Sequence, residues 1–84
     1  MKFLREYIMD NEKMQKKAEA ILETMKNESL RMIHSTETSS TKHAWYYSHL
    51  GSIDFARQMG LISEERRQEL YEEFERASES NKKQ

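Results

Sequence analysis

The feature that most constrains this chain is its near-lack of residues that break helices. Its 84 residues include no proline and only two glycines, Gly51 and Gly60. Proline lacks the amide hydrogen that a helix interior needs, and glycine costs about 1 kcal/mol of helix stability relative to alanine. Good helix formers such as glutamate, lysine, arginine and leucine are abundant instead. We therefore expect an all-α fold.

Apolar residues recur at helical spacing in three segments. They predict helices at about residues 2–33, about 40–59 and about 64–79. A chain of this length supports one domain, which we place at residues 1–79, with a frayed tail at 80–84. The predicted architecture is a three-helix arrangement in which one long N-terminal helix packs with a helix-turn-helix hairpin.

Short polar signals mark the ends of the second and third helices. Gly60 has the position of a left-handed residue just after a helix, with Leu61 folding back, and Ser63 can cap the helix that follows. These residues predict a tight corner. The second helix is expected to begin near Ser39 or Ser40, where a side-chain hydroxyl can accept a hydrogen bond from a free backbone amide.

The first helix carries one apolar stripe that has two interpretations. The stripe can face the hairpin within the same chain, or it can form the seam of a dimer. Asn11 falls on one of the two seam positions of the heptad and Glu28 on the other, and both weaken a pure coiled-coil interpretation. We expect a homodimer, and both interpretations stay open. The seam residues are Leu4, Tyr7, Met14, Ala18, Ile21, Met25 and Met32.

The second helix contains the segment "HAWYYSHLG", which holds the only tryptophan, two of the four tyrosines and two of the three histidines. This helix is apolar over about 240° of its circumference, so we expect it to pack on two sides. Trp45, Tyr46, His49 and Leu50 are predicted to lie in the core. Gly51 is best explained as a point where a neighbouring helix comes close.

A narrow polar arc of the second helix is the candidate partner-binding strip. It consists of His43, Tyr47, Asp54 and Gln58, which align at helical spacing. Tyrosine supplies a large contact area at low entropic cost, which favours recognition of a partner protein. The alternative interpretation is an ordinary solvated face.

The third helix presents an acidic face opposite its apolar arc of Leu70, Tyr71, Phe74 and Ala77. The face can mimic a phosphate track and bind a basic groove, or it can be a solvated surface of good helix formers. The residues of this candidate acidic face are Glu65, Glu69, Glu72, Glu73 and Glu75.

Several classes of function lack support in the sequence. There is no cysteine, and His43 and His49 are six residues apart, which is not a metal-ligand spacing on a helix. We find no catalytic or phosphate-binding motif, so we expect no enzyme activity, no metal and no cofactor. The net charge of −1 gives no general attraction for nucleic acid, and no stretch approaches the length of a membrane span. We expect a soluble, cytoplasmic protein.

The segment "GSIDFARQMGLISEERRQELYEEFE", residues 51–75, resembles the C-terminal half of small uncharacterised helical proteins of Gram-positive bacteria, their phages and mobile elements. The resemblance implies an all-helical accessory protein and assigns no functional residues. Our leading hypothesis is a regulator or adaptor that binds another protein through helical surfaces. One alternative is an acidic phage-type inhibitor that masks a nucleic-acid-binding enzyme. The other is a small DNA-binding regulator, although glutamates in the would-be recognition helix would be repelled by phosphates.

Overall fold

The computed structural model describes the backbone of residues 2–80 and the side chains of residues 12–79. Over these residues the chain forms three α-helices: α1 (Lys2–Ser35), α2 (Ser39–Gln58) and α3 (Glu64–Ser80). The long α1 packs against the hairpin of α2 and α3, which confirms the expected all-α arrangement. Ser80 is the last described residue of α3, and the remainder of the predicted tail, residues 81–84, lies outside the described part.

The corner between α2 and α3 forms as the sequence predicts. Gly60 has a φ of 75°, a left-handed conformation that glycine adopts without steric cost. The N–H of Gly60 donates to the carbonyl of Arg57, and the N–H of Leu61 donates to the carbonyl of Ala56, both at about 3 Å. Together these bonds make a Schellman motif. The Ser63 Oγ then accepts the N–H of Arg66 at 3.0 Å and caps α3, so the hairpin geometry is fixed locally.

α2 begins at Ser39, as the sequence predicts, but its cap differs from the prediction. The residue before the helix is Thr38, not Ser39 or Ser40, and its side chain makes no capping hydrogen bond to the backbone. The Thr38 hydroxyl instead bonds to the hydroxyl of Thr41 at 2.7 Å. Ser39 is the first residue of the helix proper. The predicted cap was wrong because the hydroxyl at the cap position is used by another side chain and not by the backbone.

The core lies where the three helices meet. Its main cluster joins α1 to the corner and both arms of the hairpin: Leu22, Ile53, Ala56, Ile62 and Leu70. Nearer the start of α2, Phe74 is fully buried and packs edge-on against His49 with ring centroids 4.5 Å apart. His49 is buried as predicted, whereas Trp45, Tyr46 and Leu50 are half-buried. The core is therefore narrower than the apolar surface of α2.

Polar contacts fix α3 against both other helices. The Arg66 guanidinium donates from Nε and Nη2 to the two carboxylate oxygens of Glu19 on α1, at 2.9 and 3.0 Å. This bidentate pair is the strongest geometry available between such groups. On the other side, the Tyr71 hydroxyl donates to the Asp54 carboxylate, and Arg67 donates to the same oxygen at 3.4 Å. The rotation of α3 is thus set from two directions.

The structure corrects the expectation for Gly51. A Cβ atom built at this position would have no neighbour within 4 Å among the described residues, so none of them makes a close helix contact there. Gly51 is exposed and lies on an open side of α2. Within residues 2–80, no helix combines the length and apolar content that crossing a bilayer requires.

Candidate functional site

A cleft of about 350 Å³ lies between the start of α2 and the end of α3. It brings together residues that the sequence assigned to two separate surfaces. His43 and Tyr47 come from the predicted strip on α2, and Glu75 comes from the predicted acidic face on α3. We call this site the aromatic-acidic cleft, and it is lined by Ile33, Ser39, Lys42, His43, Tyr46, Tyr47, Glu75, Ser78 and Glu79.

Three aromatic rings of α2 form one wall of this cleft. Tyr46 stacks on the buried Phe74, with ring centroids 5.2 Å apart and an angle of 23° between the ring planes. Tyr47 meets Tyr46 edge-on at 5.4 Å, and the His43 ring lies 6.1 Å from that of Tyr47. Because Phe74 is fully buried, its stacking fixes the orientation of the Tyr46 ring. The Tyr47 ring contacts Tyr46, so the orientation of the whole aromatic wall depends on Phe74.

The opposite wall of the cleft is acidic. Burial raises the pKa of the Tyr46 phenol, and the negative charges of Glu75 and Glu79 raise it further. Both carboxylates line the same cleft as this tyrosine, which accounts for their effect on its pKa. Lys42, half-buried at the rim, is the cation of the lining. Lys42, Glu75 and Glu79 together give the lining one net negative charge, which suits a cationic group.

The structure divides the predicted strip of four residues. His43 and Tyr47 line the cleft, but Asp54 is bonded to Tyr71 and Arg67 and so belongs to the contact between α2 and α3. Gln58 is exposed at the end of α2 and is not among the lining residues. The four residues share one arc of α2, but they lie in three different environments: the cleft, the contact between α2 and α3, and solvent.

The predicted acidic face is also divided. Glu69 and Glu73 approach the Arg66 guanidinium at 3.1 and 3.7 Å, so part of their charge is neutralised within the chain. Glu65, Glu72 and Glu75 are exposed. No ion pair forms at these three glutamates among residues 12–79. Three carboxylates therefore remain available to a basic partner.

A second candidate surface is an open groove between α1 and α2, with a volume of about 440 Å³. Ile21 and Phe55, which line it, are 50% and 63% exposed, and the exposed Met14 and Met59 follow on the same helix faces by helical periodicity. Gly51 has no side chain, so the α2 side of the groove is open at this position. We call this surface the apolar groove, and it is lined by Ala18, Ile21, Leu22, Met25, Ser48, Gly51, Ser52, Phe55, Ala56 and Leu61.

The predicted seam of α1 runs along this groove. Met14 and Ile21 are exposed, and Ala18, Met25 and Met32 are half-buried. Leu4 and Tyr7, the first two seam residues, precede the residues whose side chains are described. Among the described side chains of α1, those buried are Leu22, Ser29 and Ile33. On a helical wheel these lie about 70° away from the seam, so contact within the chain leaves Met14 and Ile21 exposed and covers Ala18, Met25 and Met32 only in part.

Comparisons with protein families, with curated proteins and with solved structures found no match to this chain. The assignment of a function therefore depends on the surfaces themselves.

The described histidine, aspartate and glutamate side chains are the candidates for a metal or catalytic site. No group of three or more histidine, aspartate or glutamate side chains in that part of the chain is placed to hold a metal ion. His49 is buried against Phe74, Ser48 is exposed, and Asp54 is bonded to Tyr71. These three residues thus have separate surroundings and do not form a nucleophile with its base.

The sequence analysis missed the contribution of Lys42, Tyr46 and Glu79 to the cleft. A usable signal was present, because a hairpin that turns at Gly60 places residues equally distant from Gly60 side by side. Tyr46 and Phe74 are each fourteen positions from it, and their rings do stack. The same rule places the start of α2 beside the end of α3, where the cleft forms.

Proposed function

We propose that this chain is a small non-enzymatic regulatory or adaptor protein that acts by protein–protein contact through its helical surfaces. The observation that carries the proposal is the apolar groove, whose lining includes the exposed side chains of Ile21 and Phe55, with Met14 and Met59 exposed further along the same two helices. Contiguous apolar patches of this kind mark protein contact sites in soluble proteins. The absence of cysteine suits a reducing compartment such as the cytoplasm.

We further propose that the occupant of the groove is a second copy of the same chain, so that the protein is a homodimer through α1. The 34 residues of α1 make a rod of about 50 Å, and a contact strip about 10 Å wide along it has an area of about 500 Å². Two copies would bury about 1,000 Å² in total, which reaches the lower limit for a specific interface. Methionines in and beside the groove suit such a contact because they adapt to the shape of a partner.

Charge along α1 favours an antiparallel arrangement of the two copies. By sequence, residues 2–17 carry five lysine or arginine residues and three acidic ones. Residues 18–35 carry two lysine or arginine residues and three acidic ones. An antiparallel pair places the basic half of each helix beside the acidic half of the other, and it also aligns the helix dipoles favourably.

Sedimentation equilibrium of wild type and two lysine variants tests this proposal. Ile21→Lys places a charge in the apolar groove, whereas Asn27→Lys places the same charge on the exposed opposite side of α1. We expect wild type and Asn27→Lys to have about twice the 10.1 kDa chain mass at high micromolar concentration, and Ile21→Lys to have the chain mass itself. Circular dichroism checks that both variants stay helical. A wild-type mass of one chain at that concentration would exclude the homodimer.

The second candidate function is an acidic phage-type inhibitor that masks a nucleic-acid-binding enzyme. It is favoured by the exposed carboxylates of Glu65, Glu72 and Glu75 on α3. Reversal of Glu65, Glu69 and Glu72 to lysine should then abolish capture of basic proteins from a host extract, while the Asn27→Lys protein captures them normally. Unchanged capture by the triple variant would exclude masking.

The third candidate is a small DNA-binding regulator, which we rank last. The two arginines nearest the corner, Arg66 and Arg67, are already paired with carboxylates of this chain. Arg66 donates to Glu19, and Arg67 donates to Glu64 and Asp54. Contact with a DNA phosphate would first have to break these pairs. A retarded DNA band at physiological salt would reverse the ranking.

A further inference from the structure

We infer that the aromatic-acidic cleft binds the guanidinium group of an arginine side chain supplied by a partner protein. The inference rests on the proposed function because it requires that the chain binds another protein, and it states which side chain of that protein is recognised. It concerns a different surface from the apolar groove, so the two can be tested separately.

The aromatic wall supplies the first part of the recognition. Tyr47 is 65% exposed, so most of its ring is open to an incoming group. Tyr46 is held in place by stacking on Phe74, and Tyr47 meets it edge-on. Two tyrosine rings fixed at an angle attract a cation through their electron-rich faces, and arginine also stacks flat on such a ring.

The acidic wall supplies the second part. Glu75 and Glu79 lie one helical turn apart on α3 and both line the cleft. Their effect on the pKa of Tyr46 places their charges beside the aromatic wall. Because the four residues line one cleft, a guanidinium on the tyrosines would have both carboxylates in the same cleft as partners for its N–H groups. Arginine presents five such donors in a rigid plane, whereas lysine presents a compact charge with three.

The same chemistry already exists within this chain, nearer the corner. The Arg67 guanidinium lies over the Tyr71 ring, 4.9 Å from its centroid. Its nitrogens donate to Glu64 at 2.9 Å and to Asp54 at 3.4 Å. Here a tyrosine face and two carboxylates, drawn from α2 and α3, hold one guanidinium. The cleft offers the same groups from the same two helices.

Lys42 gives the inference a distinctive consequence. This lysine lines the cleft beside the carboxylates and carries the same sign of charge as an incoming guanidinium. It should therefore weaken binding, and its removal should strengthen it. An ordinary solvated surface predicts no such gain.

The test is a titration of the ¹⁵N-labelled protein with the blocked peptide acetyl-Gly-Arg-Gly-amide, followed by amide chemical shifts. The matched probe is the same peptide with citrulline, which keeps the shape of arginine and lacks its charge. We expect saturable shifts at Tyr46, Tyr47 and Glu79 with the arginine peptide and none with citrulline. No saturable shift at the cleft, or equal binding of the two peptides, would overturn the inference.

Variants at exposed cleft positions sharpen the test. Tyr47→Ala should weaken binding about two- to fivefold, the range for one exposed cation–π contact. Glu79→Gln should weaken it by a similar factor, Lys42→Gln should strengthen it about twofold, and Gln58→Ala should leave it unchanged. Equal affinity in wild type and in both Tyr47→Ala and Glu79→Gln would also refute the inference. If the peptide fails to bind while Ile21→Lys still dissociates a dimer, the cleft inference falls and the proposed function stands.

Discussion

Replacement of His49 by leucine should remove a loss of stability that the wild-type chain shows in mild acid. His49 is 2% exposed and packs against Phe74 of α3, and its Nδ1 has no hydrogen-bond partner among residues 12–79. Burial lowers its pKa from 6.5 to about 4, and the positive charge of Lys26 on α1 adds to this effect. Glu23, also on α1, opposes it more weakly.

The sign and size of the effect follow from the two pKa values. In the folded state His49 binds a proton only below about pH 4, whereas in the unfolded chain it binds one below about pH 6.5. Between these values the unfolded state binds more protons, so stability falls as pH falls. His49 alone should then cost about 2 kcal/mol between pH 7 and pH 5. This is a large share of the stability of a small domain.

Urea unfolding followed by helical circular dichroism at pH 7, 6 and 5 measures this quantity. Wild type should lose about 2 kcal/mol more than His49→Leu over this range. The control His43→Gln, which changes an exposed histidine of the same helix, should behave as wild type. All samples need one protein concentration, because dimerisation would add to the apparent stability. Equal pH dependence in wild type and His49→Leu would refute the reasoning.

Three further predictions concern stability at neutral pH. A double-mutant cycle with Glu19→Gln and Arg66→Gln should give a coupling energy of about 1 kcal/mol in urea unfolding, and added salt should reduce it, because the pair is half-exposed. Phe74→Ala should cost about 3–5 kcal/mol by the same measurement, since the ring is fully buried between His49 and Tyr46. Gly60→Ala should destabilise the fold by about 1 kcal/mol and lower its melting temperature, because alanine is strained in the left-handed conformation. Gly51→Ala should stabilise the fold by about 1 kcal/mol and raise the melting temperature, because alanine favours the helix and its Cβ meets no other atom.

The corner between α2 and α3 could be predicted from the sequence because its determinants are local. Gly60 relieves the left-handed backbone, Leu61 closes the Schellman bond, and Ser63 caps the next helix. Each of these interactions joins residues within five positions of one another. The long α1 was predictable for a similar reason, since an apolar stripe of helical period needs no knowledge of the partner. The cap of α2 was predicted wrongly, because the sequence does not show that the Thr38 hydroxyl bonds to Thr41 and not to the backbone.

The rotation of the helices about their own axes could not be predicted. Sequence gives a stripe on α1 but not which part of it the hairpin covers, and the structure buries Leu22 and Ile33 while Ile21 stays exposed. The bidentate pair between Arg66 and Glu19 joins residues 47 positions apart, and no local pattern indicates it. Gly51 was misread for the same reason, because a missing side chain marks an open surface as readily as a close contact.

The two proposed surfaces lie on opposite sides of α2, and this placement links them. On a helical wheel the α2 residues of the apolar groove, such as Ser52 and Phe55, are centred about 180° from those of the cleft, such as Tyr46 and His43. A second copy bound in the groove would therefore leave the cleft open. A two-fold dimer would present two identical arginine-binding clefts. Two clefts acting together would bind a partner with paired arginines more tightly than either one alone, provided the partner spans them. A weak single site on a small chain would in this way suffice for an adaptor.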